Sequence, residues 1–392
     1  MTSKVAAKTD PSSIMDPYLG IAESAEGKRW LLREYDERQA LTMVQRHGLP
    51  DVVGRVLAAR GIDADAVDTF LSPTLRDLLP NPSRLRDMDT AAERVAAAIM
   101  QGEGIAVFGD YDVDGATSSA LLRRFIENVG GRCRIYIPDR LREGYGPNAP
   151  ALLELAGEGA SVVLTVDCGT AAHEPLAVAR DAGLDIVVID HHTAEANLPA
   201  AIAVVNPNRL DDESGEGHLA AVGVAFLLVI AVNRELRRAD WYADRPEPDL
   251  TQWLDLVALG TVCDVVPLRG LNRALVTQGL KVIQRRSNPG LRALANVAAI
   301  TEAPDAYHLG FVFGPRVNAG GRVGAADLGA RLLTTEIDDE AMELANSLNT
   351  FNRERQDIEA RVLADALNSL EKNPPGAAVI AIGENWHPGV IG

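Results

Sequence analysis

Aromatic residues make up only 5% of this 392-residue chain, so large stacking platforms for nucleic-acid bases must be few. Basic residues are also short: 38 Lys and Arg stand against 55 Asp and Glu, a formal charge of −17 at pH 7. That balance opposes polyanion binding over a general basic surface. A nucleic-acid substrate would need its cations gathered in a channel, or metal ions beside the phosphate. The three cysteines, Cys133, Cys168 and Cys263, are far apart, and each lies in or beside an apolar run. They suit buried thiols of a reducing cytoplasm, not a disulfide framework, and no pair has zinc-ligand spacing. No long apolar run exists: Leu219 to Val232 is the longest, and it is too short to cross a bilayer. Met1 to Asp16 is polar and lacks the apolar core of a signal peptide. These absences predict a cytoplasmic protein with no membrane partner.

What remains is ordinary globular material, 47% apolar and 24% charged, long enough for two or three domains. Residues 1 to about 28 have no clear period and read as a tail. From Trp30 to about Ile99 the spacing is helical, broken by Pro50, Pro73, Pro80 and Pro82. A strand–helix rhythm follows. Strands are expected at Ile105–Phe108, Arg134–Ile137, Ser161–Val166, Asp185–Ile189 and Ala203–Val205. Helices are expected at Ala116–Val129, Ala149–Ala156 and Glu174–Ala182. Short apolar strands alternating with helices imply an α/β fold, a parallel sheet flanked by helices. Beyond it lie an acidic loop at 208 to 218, a long apolar helix from Leu219 to about Arg238, and a helix from Trp253 to Leu259. Gly314-Pro-Arg-Val-Asn-Ala-Gly-Gly-Arg322 reads as a glycine-rich loop with two arginines. Asp327 to Lys372 suits one or two long connecting helices. Asn373-Pro-Pro-Gly376 breaks them, and a fresh strand is expected from Ala377 to Ile382.

Chemistry concentrates at predicted strand ends. Asp110, Asp112 and Asp114 stand at alternate positions after the first strand, where extended residues face one way. Asp167 ends the third strand, Asp190-His191-His192 the fourth, and Asp264 a later apolar segment. In a parallel sheet these ends share one edge, where ligands bind. Any one of these residues could be a cap or a turn residue; the set is harder to explain so. Crowded carboxylates repel unless a cation sits among them. Carboxylates with imidazole suit Mg²⁺ or Mn²⁺, and a cluster this anionic could hold two ions. Two such ions are the usual device for activating water against a phosphoryl centre. The other histidines, His47, His173, His218 and His308, are assigned structural roles by default.

Four stretches resemble the motifs of the DHH phosphoesterases: Val107-Phe-Gly-Asp-Tyr-Asp-Val-Asp-Gly115, Val166-Asp-Cys-Gly169, Val188-Ile-Asp-His-His192 and Gly260-Thr-Val-Cys-Asp-Val-Val-Pro267. Further stretches resemble one bacterial branch that degrades single-stranded DNA: Phe70-Leu-Ser-Pro-Thr74, Pro138-Asp-Arg-Leu-Arg-Glu-Gly-Tyr-Gly-Pro-Asn148, Val204-Val-Asn-Pro207, Gly314 to Arg322 and Trp386 to Gly392. The likeness runs in order from about residue 65 to the end. It implies metal ligation by Asp112, Asp114, Asp167, His191 and Asp264, with Asp167 as the bridge. His192 would stand beside the scissile phosphate, with Asp167 and Asp110 also in the catalytic set, and Asp190 would orient the histidines. Many family members carry a histidine where this chain has Phe108, and Asp110 could compensate. Arg140, Arg316, Asn318 and Arg322 would bind substrate phosphate, and Tyr145 could stack on a base.

The likeness also implies a domain plan. Residues 1–90 are a tail and helical region, 91–325 the DHH catalytic domain and 326–372 a connecting long helix. Residues 373–392 would begin a DHH-associated α/β domain that is cut short. The expected activity is Mn²⁺- or Mg²⁺-dependent 5′→3′ hydrolysis of single-stranded DNA in recombination and repair, with two ions. Its partners would be single-stranded DNA with a 5′ end, and a single-strand-binding protein and a helicase. Two rivals compete. One is another DHH enzyme, a pyrophosphatase or a phosphodiesterase of small oligonucleotides or cyclic dinucleotides. The other is a non-catalytic scaffold, which would have lost metal ligands that this chain keeps.

Overall fold

A computed structural model describes residues 16–140, 142–372 and 378–391. Two compact units divide the chain at Pro73 and Thr74. The first contains α1 (Glu37–His47), α2 (Asp51–Ala59) and α3 (Val67–Leu71), closed around Met43, Leu57 and Val67. Asp36 caps α1 by accepting from the Arg38 and Gln39 amides, and Gly48 ends it in the left-handed conformation. The expected tail lies outside the described residues as far as position 15; a single 3-10 turn follows at Tyr18–Gly20.

The second unit is the α/β layer. After α4 (Leu75–Leu78) and α5 (Met88–Gln101) come β1 (Gly104–Gly109), α6 (Val113–Asn128), β2 (Arg132–Tyr136), α7 (Ala149–Gly157), β3 (Ala160–Val166), α8 (His173–Asp181), β4 (Asp185–Ile189) and β5 (Ala203–Val205). All five expected strands form, parallel, in the order β2-β1-β3-β4-β5. The chain runs outward from β1 to β2, then returns to β3 on the other side of β1. That reversal makes β1 and β3 neighbours at a topological switch point.

Alternation explains why the sheet is buried on both sides. Ile105, Val107, Val162, Leu164, Val187 and Ile189 enter the main core with α5, α6 and α9 (Ala221–Arg238). Ala106, Phe108, Val163, Ile186 and Val188 enter a smaller core with α7 and α8. Covering both faces is what a parallel sheet requires.

The rest of the unit is helical: α10 (Leu254–Cys263), α11 (Gly270–Gln284), α12 (Pro289–Val297), the short α13 (Ala306–His308), a π-helical turn (Leu309–Phe313), α14 (Gly314–Val323), α15 (Leu328–Thr334) and α16 (Asp338–Lys372). Three expectations need correction. The segment from Gly314 to Arg322 is a helix, not a loop. Its glycines serve close packing, and none of them has a positive φ. A Cβ on Gly314 would lie 2.6 Å from the Cys263 sulfur, and one on Gly321 would lie 2.7 Å from the Tyr111 carbonyl. Pro315 sits in the first turn, where its missing N–H costs nothing. Second, the helix expected to stop at Leu259 continues to Cys263, so the apolar segment that Asp264 ends is helical and Asp264 is its C-cap. Third, the expected strand at 377 to 382 is absent among the described residues 378–382, where Val379, Ile380 and Ile382 are exposed and no neighbouring strand pairs with them.

Helix α11 fixes the helix that carries Asp264. A Cβ at Gly279 would sit 2.2 Å from the Leu254 carbonyl and 2.5 Å from Ala258 Cβ, both on α10. Backbone cannot yield as a flexible side chain can. Gly279→Ala should therefore lower stability by about 1–3 kcal/mol. Urea unfolding measures this, and an unchanged midpoint would refute the close-packing account.

Candidate metal centre

The strand ends deliver the first carboxylates. Asp110, Asp167 and Asp190 are each the residue just past a strand, and their amides continue the ladder to the Val166, Ile189 and Val205 carbonyls. β1 and β3 are in register with Gly109 opposite Val166, so Asp110 and Asp167 emerge side by side. Asp167 holds a left-handed backbone, φ 59°. A non-glycine residue tolerates that only where its surroundings impose it.

The run from Asp110 to Asp114 is not extended throughout. Asp112 is the N-cap of α6 and accepts from the Gly115 amide at 3.0 Å. Asp114 lies in the first turn and is fully buried. Both its oxygens accept backbone N–H groups at the start of α9, Ala221 at 2.6 Å and Val222 at 2.9 Å. Gly115 permits this tight corner, because a Cβ there would meet the Asp110 carbonyl at 2.4 Å. The three aspartates thus converge through a strand end, a cap and a helical turn.

Two groupings of ligand atoms result: Asp110, Asp112 and Asp167, and Asp114, His191 and Asp264. Asp167 also groups with His191 and His192, so it links the two sides. His191 Nε2 stands 3.2 Å from Asp167 Oδ1, 3.7 Å from Asp264 Oδ2 and 3.9 Å from Asp114 Oδ2. Among the described residues, Asp110 Oδ1, Asp167 Oδ1, His191 Nε2 and Asp264 Oδ2 are buried and make no hydrogen bond. Buried polar atoms are normally satisfied. Unsatisfied ligand atoms in adjoining groups that share Asp167 and His191 fit divalent cations, and the donor set of carboxylates with one imidazole fits Mn²⁺ or Mg²⁺.

The charges agree. Burial, then the neighbouring Asp112, pushes Asp110 up to about 7. Burial and Asp112 likewise raise Asp264 to about 6. Asp114 and Asp167 are raised well above the usual carboxylate range, first by burial and then by the carboxylates around them. Without a cation the cluster holds protons. The histidines diverge. Burial and the adjacent His192 lower His191, which favours the neutral, ligating imidazole. A hydrogen bond to Asp190 raises His192 towards the imidazolium.

Asp190 holds both histidines in place. Its Oδ1 accepts from the His191 amide at 2.8 Å, the His192 amide at 3.2 Å and, at 2.7 Å, pairs with His192 Nδ1; its Oδ2 accepts from the Thr170 amide. Burial works against its charge, yet the bonds from His192 and Thr170 keep it below the ordinary range. Asn206 donates to the His192 carbonyl at 2.9 Å and to Thr170 Oγ1 at 3.0 Å, and Asn208 donates to the His191 carbonyl. The strand-end spacing Asn206-Pro207-Asn208 signals these two amides, although no anchoring role is evident from the sequence. Phe108 is fully buried and stacks on Tyr136 at 5.3 Å, while Asp110, two residues on, faces Asp112 and Asp167.

The candidate phosphate ligands fall into three places. The Arg140 guanidinium lies over the Tyr111 ring at 5.2 Å, next to the aspartates. Asn318 and Arg322 line a cavity of about 190 Å³ with Cys263, Gly310, Gly314, Pro315 and Arg355. Arg316 is not in that lining: it donates to Asn349 Oδ1 at 3.0 Å and to the Val312 carbonyl at 2.7 Å. Arg355 is absent from the sequence-based set because nothing in a mixed-charge helix marks one arginine as facing inward. Tyr145 donates to the Asp167 carbonyl at 3.3 Å, a structural role beside the site. Among the described residues no helix is long and apolar enough to cross a membrane.

A parallel sheet with Asp and His groups gathered at its switch point makes a candidate metal centre, and residues 104–261 match the family described as "DHH family, N-terminal domain". The chain belongs to the DHH family, in its RecJ group. It is 35% identical to the single-stranded-DNA-specific exonuclease RecJ of Bacillus subtilis over 372 residues, which covers 94% of this chain and 45% of that protein. Against RecJ of Escherichia coli the identity is 37% over 371 residues, 92% of this chain and 63% of that one. A crystal structure of exonuclease RecJ bound to manganese is 37% identical, with a TM-score of 0.69, covering 78% of this chain and 75% of that chain. RecJ from Thermus thermophilus in complex with Mn²⁺ is 32% identical with a TM-score of 0.77, covering 92% of this chain and 50% of that chain. The chain therefore spans roughly half to two-thirds of the curated relatives it matches.

These raised carboxylates set a pH dependence. The Asp110 carboxyl loses its proton near 3.8 when unfolded and near 7 when folded. Between those values the folded state keeps a proton that the unfolded state has released, so stability falls as pH rises through that window. A bound divalent ion removes the penalty. Excess Mn²⁺, at about a hundred times its dissociation constant, should add about 2.7 kcal/mol at pH 8 and far less at pH 5. Thermal unfolding with and without Mn²⁺ at the two pH values checks this, and an equal gain at both would contradict it.

Proposed function

We propose that this protein is a single-strand-specific DNA exonuclease that cleaves phosphodiester bonds from the 5′ end. The observation that carries the reading is the buried, unsatisfied quartet of Asp110, Asp167, His191 and Asp264 at the switch point. In this reading Asp112, Asp114, Asp167, His191 and Asp264 hold two Mn²⁺ or Mg²⁺ ions, with Asp167 shared. Asp110 stands on the Asp112 side in place of the histidine that Phe108 replaces. Ions bound there supply a water of lowered pKa and neutralise phosphate oxygens.

The chain's own groups do the remainder. His192 is held at Nδ1 by Asp190, so its Nε2 proton can face the phosphate and stabilise charge as it develops. The Asn206 and Asn208 amides fix the main chain of the pair, so the imidazoles do not have to be ordered during reaction. Arg140 and Arg322 offer planar, bidentate cations for phosphate, with Asn318 beside Arg322. Arg316 would have to leave the Val312 carbonyl to join them.

The activity by which the relatives are named supports the substrate class. A setting in recombination and repair accords with it, as does the cytoplasm, where three free thiols stay reduced. A single-strand-binding protein and a helicase are the partners proposed, since both expose or hold the strand such an enzyme consumes.

The experiment is a nuclease assay with Mn²⁺ and single strands labelled at either end. Mononucleotides should appear from the 5′ end only. Asp112→Ala with Asp167→Ala should lower the rate by at least about a thousandfold. His192→Gln should cost about 10²–10³ in kcat while Mn²⁺ binding is retained. Release from the 3′ end, or survival of activity in the double variant, would sink the reading. Hydrolysis of pyrophosphate in its place would favour another DHH chemistry.

A further inference from the structure

The π-helical turn at Leu309–Phe313 takes no part in the metal centre, yet it is built against it. Its inner side is fixed: Leu309 and Phe313 are fully buried, and the Cys263 thiol donates to the Leu309 carbonyl at 3.4 Å. Gly310 packs against Val262, where a Cβ would touch its Cγ1 at 3.4 Å. Both contacts are to α10, the helix that ends at Asp264. The outer side is unlike the rest of this aromatic-poor chain. Tyr307 and Phe311 are 63% and 72% exposed, and their rings stack on each other at 5.1 Å and 27°. π-turns are rare, are less favourable than α-helix and recur at functional sites. One ring stands on the turn and the other on the short helix before it, and neither belongs to the buried core.

The structure assigns these rings a ligand: we propose that Tyr307 and Phe311 form a stacking platform for the bases of the single strand, a reading that rests on the nuclease function above. The charge around them selects this occupant. Gly310, between the two rings in sequence, lines the cavity shared by Asn318, Arg322 and Arg355, and no carboxylate lines that cavity. Burial, and then Arg355 and Arg140, push the Arg322 guanidinium below its ordinary range. Arg355 is paired with Glu359 at 2.6 Å, whereas Arg322 donates only to the Gly389 carbonyl and has no carboxylate partner among the described residues, so a phosphate backbone would bring the counter-charge it lacks. The carboxylates beside the platform, Glu302 and Asp305, are both bonded to His308, at 3.1 and 2.7 Å. A strand with its phosphates towards the arginines would have its bases beside the rings. A folded protein partner fits less well, since a stable protein interface buries about 800 Å² a side, far more than two side chains offer.

The test compares the parent with the Tyr307→Ala, Phe311→Ala double variant. Both residues are exposed, so truncation leaves the core untouched. Affinity for a fluorescent oligothymidylate is read without divalent ions, and KM and kcat with Mn²⁺ on that strand and on a dinucleotide. Loss of stacking should raise Kd and KM for the long strand by about 5- to 150-fold. The dinucleotide kcat and the salt dependence of binding should stay as in the parent, because no phosphate contact is removed. Phe311→Trp should retain parental affinity. If the parent binds and cuts single strands while the double variant matches it in Kd and KM, the platform is refuted and the nuclease reading stands. Equal losses on the dinucleotide and the long strand would also refute it, since the rings would then be supporting the metal centre. If the parent neither binds nor cuts single strands, the nuclease reading fails and the platform falls with it.

Discussion

Carboxylates brought together away from water repel one another, and the local structure around β1 and β3 is arranged to impose that repulsion. No single element could do so. Asp110 and Asp167 arrive on adjacent strands, Asp112 on a helix cap, Asp114 in a helical turn and Asp264 at the end of a distant helix. The cost is spread over backbone that cannot relax. Asp167 is held in the left-handed region by its amide bond to the Ile189 carbonyl and the Tyr145 hydroxyl on its own carbonyl, and Asp114 is pinned by two amides of α9. A cluster so constrained can lower its energy by holding protons or by holding cations. That choice is what makes it chemically useful.

The amides of α9 show how the cluster differentiates its members. A helix N-terminus carries partial positive charge and orphan N–H groups. It meets Asp114, the most deeply buried carboxylate, and so offsets part of the repulsion at the point where water cannot. Asp190 is the counterpart on the histidine side. Rich in hydrogen bonds, it stays charged and gives His192 its proton affinity, while the neighbouring His191 is left neutral. Two adjacent imidazoles of one motif are therefore pushed in opposite directions, His191 down and His192 up.

Much of this was legible in the sequence because it rests on local pattern. Five apolar runs with helical segments between them define the sheet, and the acids just beyond those runs define one edge. What stayed hidden depends on contacts between distant segments. Alternation suggested one common direction for Asp110, Asp112 and Asp114, but α6 begins at Val113 and turns the last two by different means. The glycines from Gly314 to Gly321 looked like turn residues. They are helical, and their missing side chains admit Cys263 and Tyr111, residues that nothing in the local sequence pairs with them. Arg316 seemed to belong with Arg322, six residues away, yet its guanidinium is occupied by Val312 and Asn349. The arginine that shares a cavity with Arg322 is Arg355, two helices later on α16.

The acidic composition then takes on a specific meaning. A chain of net charge −17 cannot attract a polyanion everywhere, so attraction must be local. The Arg322 guanidinium beside the site is desolvated and feels Arg355 and Arg140. Acid cluster and arginine cavity lie on the two sides of Cys263–Asp264, so a cation bound on one side and an anion on the other would each reduce the cost of the other.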